Sequence, residues 1–135
     1  MATISSRALV VAPTPELAQQ LASCLSSRGI TVDVTDDFDE ARHELNVRPP
    51  QLLVTELKLG AFNGLHLAMR ARTQLPRVAT IVIGEADSVL QAEALKQDVR
   101  YVVGPIEDGS FMNTVGTCAA AAALRSGSSD AGRTH

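Results

Sequence analysis

Apolar runs of strand length alternate along the chain with stretches of helical period. The first run is Ala8-Leu9-Val10-Val11, which stops at Ala12-Pro13. It is continuous rather than alternating, the mark of a strand covered on both faces. Thr14-Pro15-Glu16 then opens a helix. Thr14 is placed to cap it, Pro15 takes the first helical position, and Glu16 suits the positive end of the dipole. Leu17, Leu21, Cys24 and Leu25 form its apolar stripe, and Gly29 closes it after Arg28. Ile30 to Val34 read as a short strand with Val32 and Val34 on one face and Asp33 on the other. Asp36, Asp37 and Asp39 mark the start of a second helix, with Phe38, Ala41 and Leu45 on its inner face and Pro49-Pro50 at its end.

The pattern repeats through the second half. Leu52-Leu53-Val54 form a third strand that runs on through Thr55 to Leu59. Gly60 to Gly64 read as a loop, and Leu65, Ala68, Met69 and Ala71 as a helix face. Val78 to Ile83 form a fourth strand ended by Gly84. Asp87 is expected to cap a helix over Ser88 to Lys96. Tyr101-Val102-Val103 form a fifth strand before Gly104-Pro105, and a last helix is expected from about Asp108 to Leu124. Strand then helix, five times over, predicts a three-layer α/β fold. Its parallel sheet carries helices on both faces, joined by right-handed crossovers. The flavodoxin-like (βα)5 arrangement, strand order 2-1-3-4-5, meets this description. Residues 1–6 are read as a lead, 7–124 as one domain, and 125–135 as a flexible polar tail.

Composition narrows the function. The chain has 135 residues, of which 45% are apolar, enough for one domain with a true core. Net charge is −3 with both signs interspersed, so no basic stripe for nucleic acid or polybasic membrane patch stands out. Two cysteines, Cys24 and Cys118, lack metal-ligand spacing and are read as reduced and buried. No run reaches the ~18 apolar residues of a membrane span. The N-terminal run is too short for a signal peptide, and a cytoplasmic location is expected.

The stretch RPPQLLVTELKLGAFNGLHL, with Asn63-Gly64 after its loop, and the turn Tyr101-Val102-Val103-Gly104-Pro105 give the chain a resemblance. Over roughly residues 7 to 123 it resembles the receiver domain of bacterial response regulators. That resemblance implies chemistry at the carboxyl ends of the strands. Two acids after the first strand would hold Mg²⁺, and an Asp ending the third would accept a phosphoryl group. A Thr or Ser after the fourth strand and a Lys ending the fifth would contact its oxygens. Here the acidic pair falls on Ala12 and Pro13, the acceptor on Glu56, the hydroxyl on Ile83 and the Lys on Gly104.

Neither Ala12 nor Pro13 can ligate Mg²⁺, which asks for oxygen ligands. The Glu56 carboxylate sits one methylene too far out, and near-attack geometry tolerates little displacement. Phosphoryl transfer rests on positioning and charge stabilisation, so these changes predict a dismantled site with no catalytic residue, metal or cofactor. Glu56 is expected as a charge with no reader, hydrogen-bonded to loop amides or water. Ile83 is expected to fix Tyr101, the family's switch aromatic, in one rotamer. The Gly104-Pro105 bond is implied to be cis, so that Pro105 keeps the turn.

The expected function is a stand-alone, non-enzymatic pseudo-receiver that binds a protein partner. The resemblance places that contact on the fourth helix, fifth strand and fifth helix, with Arg100 and Tyr101 central and a homodimer as one form of it. Two alternatives remain: phosphorylation by an unusual route, such as on Thr55, and a small-ligand sensor using the emptied pocket. His43 and His66 have no evident partner for general-base chemistry.

Overall fold

The computed structural model describes residues 6–75, 77–107 and 109–120. The expected tail, the ends of the expected last helix at Asp108 and 121–124, and lead residues 1–5 lie outside them. The elements are β1 (Arg7–Val11), α1 (Pro15–Ser26), β2 (Thr31–Thr35), α2 (Phe38–Val47), β3 (Leu52–Glu56), β4 (Lys58–Leu59), β5 (Phe62–Asn63), α3 (Gly64–Gln74), β6 (Ala79–Gly84), α4 (Ser88–Lys96) and β7 (Arg100–Val103). A fifth helix, α5, covers 109–120. Five parallel strands form one sheet in the order β2-β1-β3-β6-β7. This is the expected flavodoxin-like order once the small β4–β5 hairpin is set aside.

The continuous apolar strands are covered on both faces, as their pattern implies. Ala8, Val10, Ala12, Val54, Ile81 and Ile83 pack with α1 and α5 through Leu21, Leu25, Phe111 and Val115. Leu9, Val11 and Leu53 face α2 and α3, meeting Ala41, Leu45, Leu67 and Ala71. Val82 and Tyr101 share that second face with Leu65, Ala68 and Ala94 of α3 and α4. Burial of this kind is worth roughly 25 cal/mol per Å² of apolar surface and drives the assembly.

Helices α2 and α4 start on side chains read as caps. Asp37 accepts from the Glu40 amide at 3.2 Å, and Asp87 accepts from the Val89 and Leu90 amides at 3.0 Å each. At the end of α1, Gly29 lies at φ +81° and its amide donates to the Ser26 carbonyl. The Ile30 amide reaches the Leu25 carbonyl, completing a Schellman-type closure. Edge strand β2 is tied down by charge: Arg7 Nη1 lies 2.7 Å from Asp33 Oδ2, with Arg48 Nη2 at 3.5 Å from the same oxygen.

The loop expected over Gly60 to Gly64 is a hairpin instead. Leu59 pairs with Phe62 and Lys58 with Asn63. Gly60, at φ +62°, makes the tight reversal, a backbone conformation that side chains rarely adopt. Leu59 turns into the core, and Phe62 stacks on Phe38 with ring centroids 4.6 Å apart.

Candidate functional site

Residues 12, 13, 56, 83 and 104 meet at the carboxyl ends of the strands, where open α/β sheets place their ligands. Register brings them there: Glu56 pairs with Ile83, Gly84 with Val103, and the Ala12 amide reaches the Thr35 carbonyl at 2.9 Å. Ala12 and Ile83 are buried, Pro13 is exposed, and Glu56 and Gly104 are half-buried. Gly104 donates to the Gly84 carbonyl at 3.1 Å and enters a cis bond with Pro105.

Glu56 is held on both oxygens by one residue. The Thr14 amide donates to Oε2 at 2.8 Å, and the Thr14 hydroxyl donates to Oε1 at 2.9 Å. Thr14 stands at the N-cap of α1, yet its side chain makes no cap bond to that helix. The hydroxyl is turned to the carboxylate, and the carboxylate lies against the positive end of α1. Charge-assisted bonds and the helix dipole favour that placement. Glu56 makes no ion pair among the described residues. Thr14 was readable as a cap but not as a partner of Glu56, from which it is separated by 42 residues.

A divalent cation would need donors that this set does not supply. Ala12 and Pro13 have no side-chain donor, and the Glu56 oxygens are engaged by Thr14. Among the described residues no group of three or more His, Cys, Asp or Glu is arranged to hold a metal. The residues present do not fit Mg²⁺.

Tyr101 is latched from the opposite face to Ile83. The register pairs Val82 with Tyr101 and Ile83 with Val102, so Tyr101 and Ile83 fall in different clusters. The expectation that Ile83 fixes the Tyr101 rotamer therefore gives way to other contacts. The phenol donates to the Glu85 carbonyl at 2.6 Å. Room for it comes from Gly84: a Cβ there would lie 2.6 Å from the Tyr101 oxygen and 3.0 Å from Leu57 Cβ. Burial pushes the phenol pKa above its ordinary 10.0, and the negative charges of Asp87 and Glu85 push the same way.

Gly84→Ala is therefore expected to expel the phenol from the Glu85 carbonyl and lower its pKa toward the ordinary value. Tyr101 is the chain's one tyrosine and there is no tryptophan, so ultraviolet titration and intrinsic fluorescence read this group alone. An unchanged titration in the variant would refute the latch. A phenol raised in the fold contributes stability that is complete below the unfolded value of 10.0. That contribution is lost as the pH climbs through the folded value.

The remaining candidates are placed plainly. Thr55 is fully buried and its hydroxyl donates to the Glu56 carbonyl at 2.9 Å. His43 and His66 are exposed on α2 and α3. Cys24 and Cys118 are not joined in a disulfide, the first being buried and the second only half-buried. Arg100 is exposed at the start of β7. Among the described residues no helix is long and apolar enough to cross a membrane.

A doubly covered parallel sheet of five strands, with polar loops gathered at its carboxyl end, defines a CheY-like, flavodoxin-like α/β protein. The family model of the response regulator receiver domain matches residues 8–115, and the chain belongs to that family. Among solved structures it is similar to NtrX from Brucella abortus in complex with ADP, with a TM-score of 0.83 at 20% identity. That match covers 94% of this chain and 30% of the other. It is also similar to a CheY-like receiver domain protein from Methanospirillum hungatei JF-1. There the TM-score is 0.83 at 15% identity, covering 90% of this chain and 99% of that one. A curated relative, the DEAD-box ATP-dependent RNA helicase CshB of Staphylococcus aureus, is 32% identical over 112 residues, 77% of this chain. The chain spans only 24% of that helicase.

Proposed function

We propose that this receiver domain is a pseudo-receiver: a non-enzymatic, cytoplasmic signalling module that works by protein contact without accepting a phosphoryl group. The observation that carries the reading is the Glu56–Thr14 pair. The side chain at the acceptor position is already bonded through both oxygens, at 2.8 and 2.9 Å. Around it stand Ala12, Pro13, Ile83 and Gly104, which supply neither metal ligand, hydroxyl nor cation. Phosphoryl transfer needs positioned charge, and these side chains offer none. Thr55 is no substitute acceptor in this reading, being sealed in the core.

The contact surface in this reading is the face formed by α4, β7 and α5. Arg100 stands exposed on it and Tyr101 half-buried at its centre. An aromatic beside an arginine is a common interface anchor. In this reading the bond from the Tyr101 hydroxyl to the Glu85 carbonyl keeps the face in one state.

Incubation with a small phosphodonor and Mg²⁺, followed by intact mass measurement, tests the first part. The expected result is no gain of mass. A gain of one phosphoryl group that Glu56→Ala abolishes would overturn the reading.

A further inference from the structure

Aromatic side chains are scarce in this chain, yet two of its three phenylalanines meet at the surface. The third, Phe111, lies in the core at 2% exposed. Phe38 opens α2, and Phe62 sits on the β4–β5 hairpin. Their rings stack with planes 14° apart and centroids 4.6 Å apart. The stack occupies one face of each ring and leaves Phe62 50% exposed. It anchors the hairpin, but at the expense of aromatic surface left in water.

The surroundings of the pair are predominantly acidic. Asp36, Asp37, Asp39 and Glu40 flank Phe38 in sequence, and all four are exposed. A helix start needs one carboxylate as its cap, and Asp37 is that one, accepting from the Glu40 amide. The Thr35 hydroxyl donates to Glu40, and Arg42 Nη2 lies 3.6 Å from Asp39 Oδ1. Asp36 and Asp37 make no ion pair among the described residues. The hairpin adds one base, Lys58, opposite Asn63. Four carboxylates against Arg42 and Lys58 leave this surface negative. A guanidinium suits it on two counts. Its flat face stacks on an exposed aromatic ring, and its fork of donors matches the carboxylates beside that ring.

We propose that the Phe38–Phe62 pair and the acids at the start of α2 form a docking surface for an arginine-bearing basic segment of another protein. A guanidinium of that segment lies on Phe62, and its neighbouring bases face Asp36 and Asp39. Helix α2 follows edge strand β2, whereas β7 is the opposite edge of the sheet. This contact is therefore separate from the one read on α4, β7 and α5, and its failure leaves that reading untouched.

Fluorescence anisotropy tests it, with a labelled peptide of four Arg-Gly repeats titrated with the full chain at low salt, where exposed charges are least screened. The native chain is expected to bind this peptide, and to bind the matching Lys-Gly peptide more weakly. Phe62→Leu keeps an apolar group over Phe38 and removes the aromatic face, and is expected to weaken binding about fivefold. Asp36→Asn is expected to weaken it about threefold. Glu85→Gln makes the same change of charge at the start of α4 and leaves the main-chain bond to Tyr101 in place; it is expected to have no effect. Absence of binding by the native chain overturns the proposal, as does a Phe62→Leu chain that binds like the native one. Equal losses in Asp36→Asn and Glu85→Gln would reduce the contact to net charge and overturn it as a site. A Lys-Gly peptide bound as tightly as Arg-Gly overturns the guanidinium.

Discussion

Gly64→Ala is expected to destabilise the domain by about 3 kcal/mol, the upper range for forcing atoms into a filled site. Gly64 opens α3 and is buried where the hairpin returns to the sheet. A Cβ on it would lie 1.9 Å from the Glu56 carbonyl oxygen and 2.8 Å from the Thr55 hydroxyl. Real Cβ atoms do not approach so closely, so the backbone has to move. It has little freedom to do so. β3 is paired with β1 on one side and β6 on the other, and the Gly64 amide itself donates to the Leu57 carbonyl at 2.7 Å. Thermal unfolding followed by circular dichroism is expected to show a midpoint lower by about 10 °C. Gly116→Ala is the matched control. It lies in α5 with nothing within 4 Å of its added methyl, and is expected to gain up to about 1 kcal/mol from helix propensity. Equal midpoints for the two variants would refute the close approach at Gly64.

The five strands were legible because each is a compact apolar run and each helix start carries its own signal, such as Asp37 or Asp87. Helix α4 was legible residue for residue, since Asp87 caps it and Lys96 ends it locally. The β4–β5 hairpin was not, because two-residue strands leave no periodicity and its anchor, Phe62 on Phe38, joins distant segments. The site shows the same division. The identity of the side chains at 12, 13, 56, 83 and 104 could be read directly. Their relation to one another could not. Thr14 looks like an ordinary cap until the fold brings it to Glu56. Tyr101 and Ile83 look like neighbours until the register between β6 and β7 sets them on opposite faces. Parallel strands are joined by crossovers, so their register depends on packing that no local motif records.

Rebuilding all five positions together is expected to give the chain a phosphoryl-accepting site, whereas Glu56→Asp alone is not. The full set is Ala12→Asp, Pro13→Asp, Glu56→Asp, Ile83→Thr and Gly104→Lys. Glu56→Asp withdraws the carboxylate by one methylene and removes it from the Thr14 amide and hydroxyl. Alone, that leaves an acid with no metal ligands beside it and no cation across from it. Carboxylates at 12 and 13 supply oxygen donors for Mg²⁺. A hydroxyl at 83 and an ammonium at 104 supply the charge stabilisation on which the transfer depends. The fold has room for the last of these: a Cβ on Gly104 meets only Ile83 Cγ2, at an ordinary 3.9 Å. Groups that act as a unit are not additive, so the gain appears when the set is complete and not in proportion to its parts. The single variant is expected to label at least about 100-fold more slowly than the five-position variant, the scale of misplaced near-attack geometry. Intact mass after timed incubation with a small phosphodonor and Mg²⁺ measures both rates. If Glu56→Asp labels as fast as the complete set, the surrounding positions were never limiting, and Ala12, Pro13, Ile83 and Gly104 do not silence the site. If neither labels while both remain folded, the five positions do not complete the site, and a further element of this chain, with Thr14 the first to examine, holds it closed.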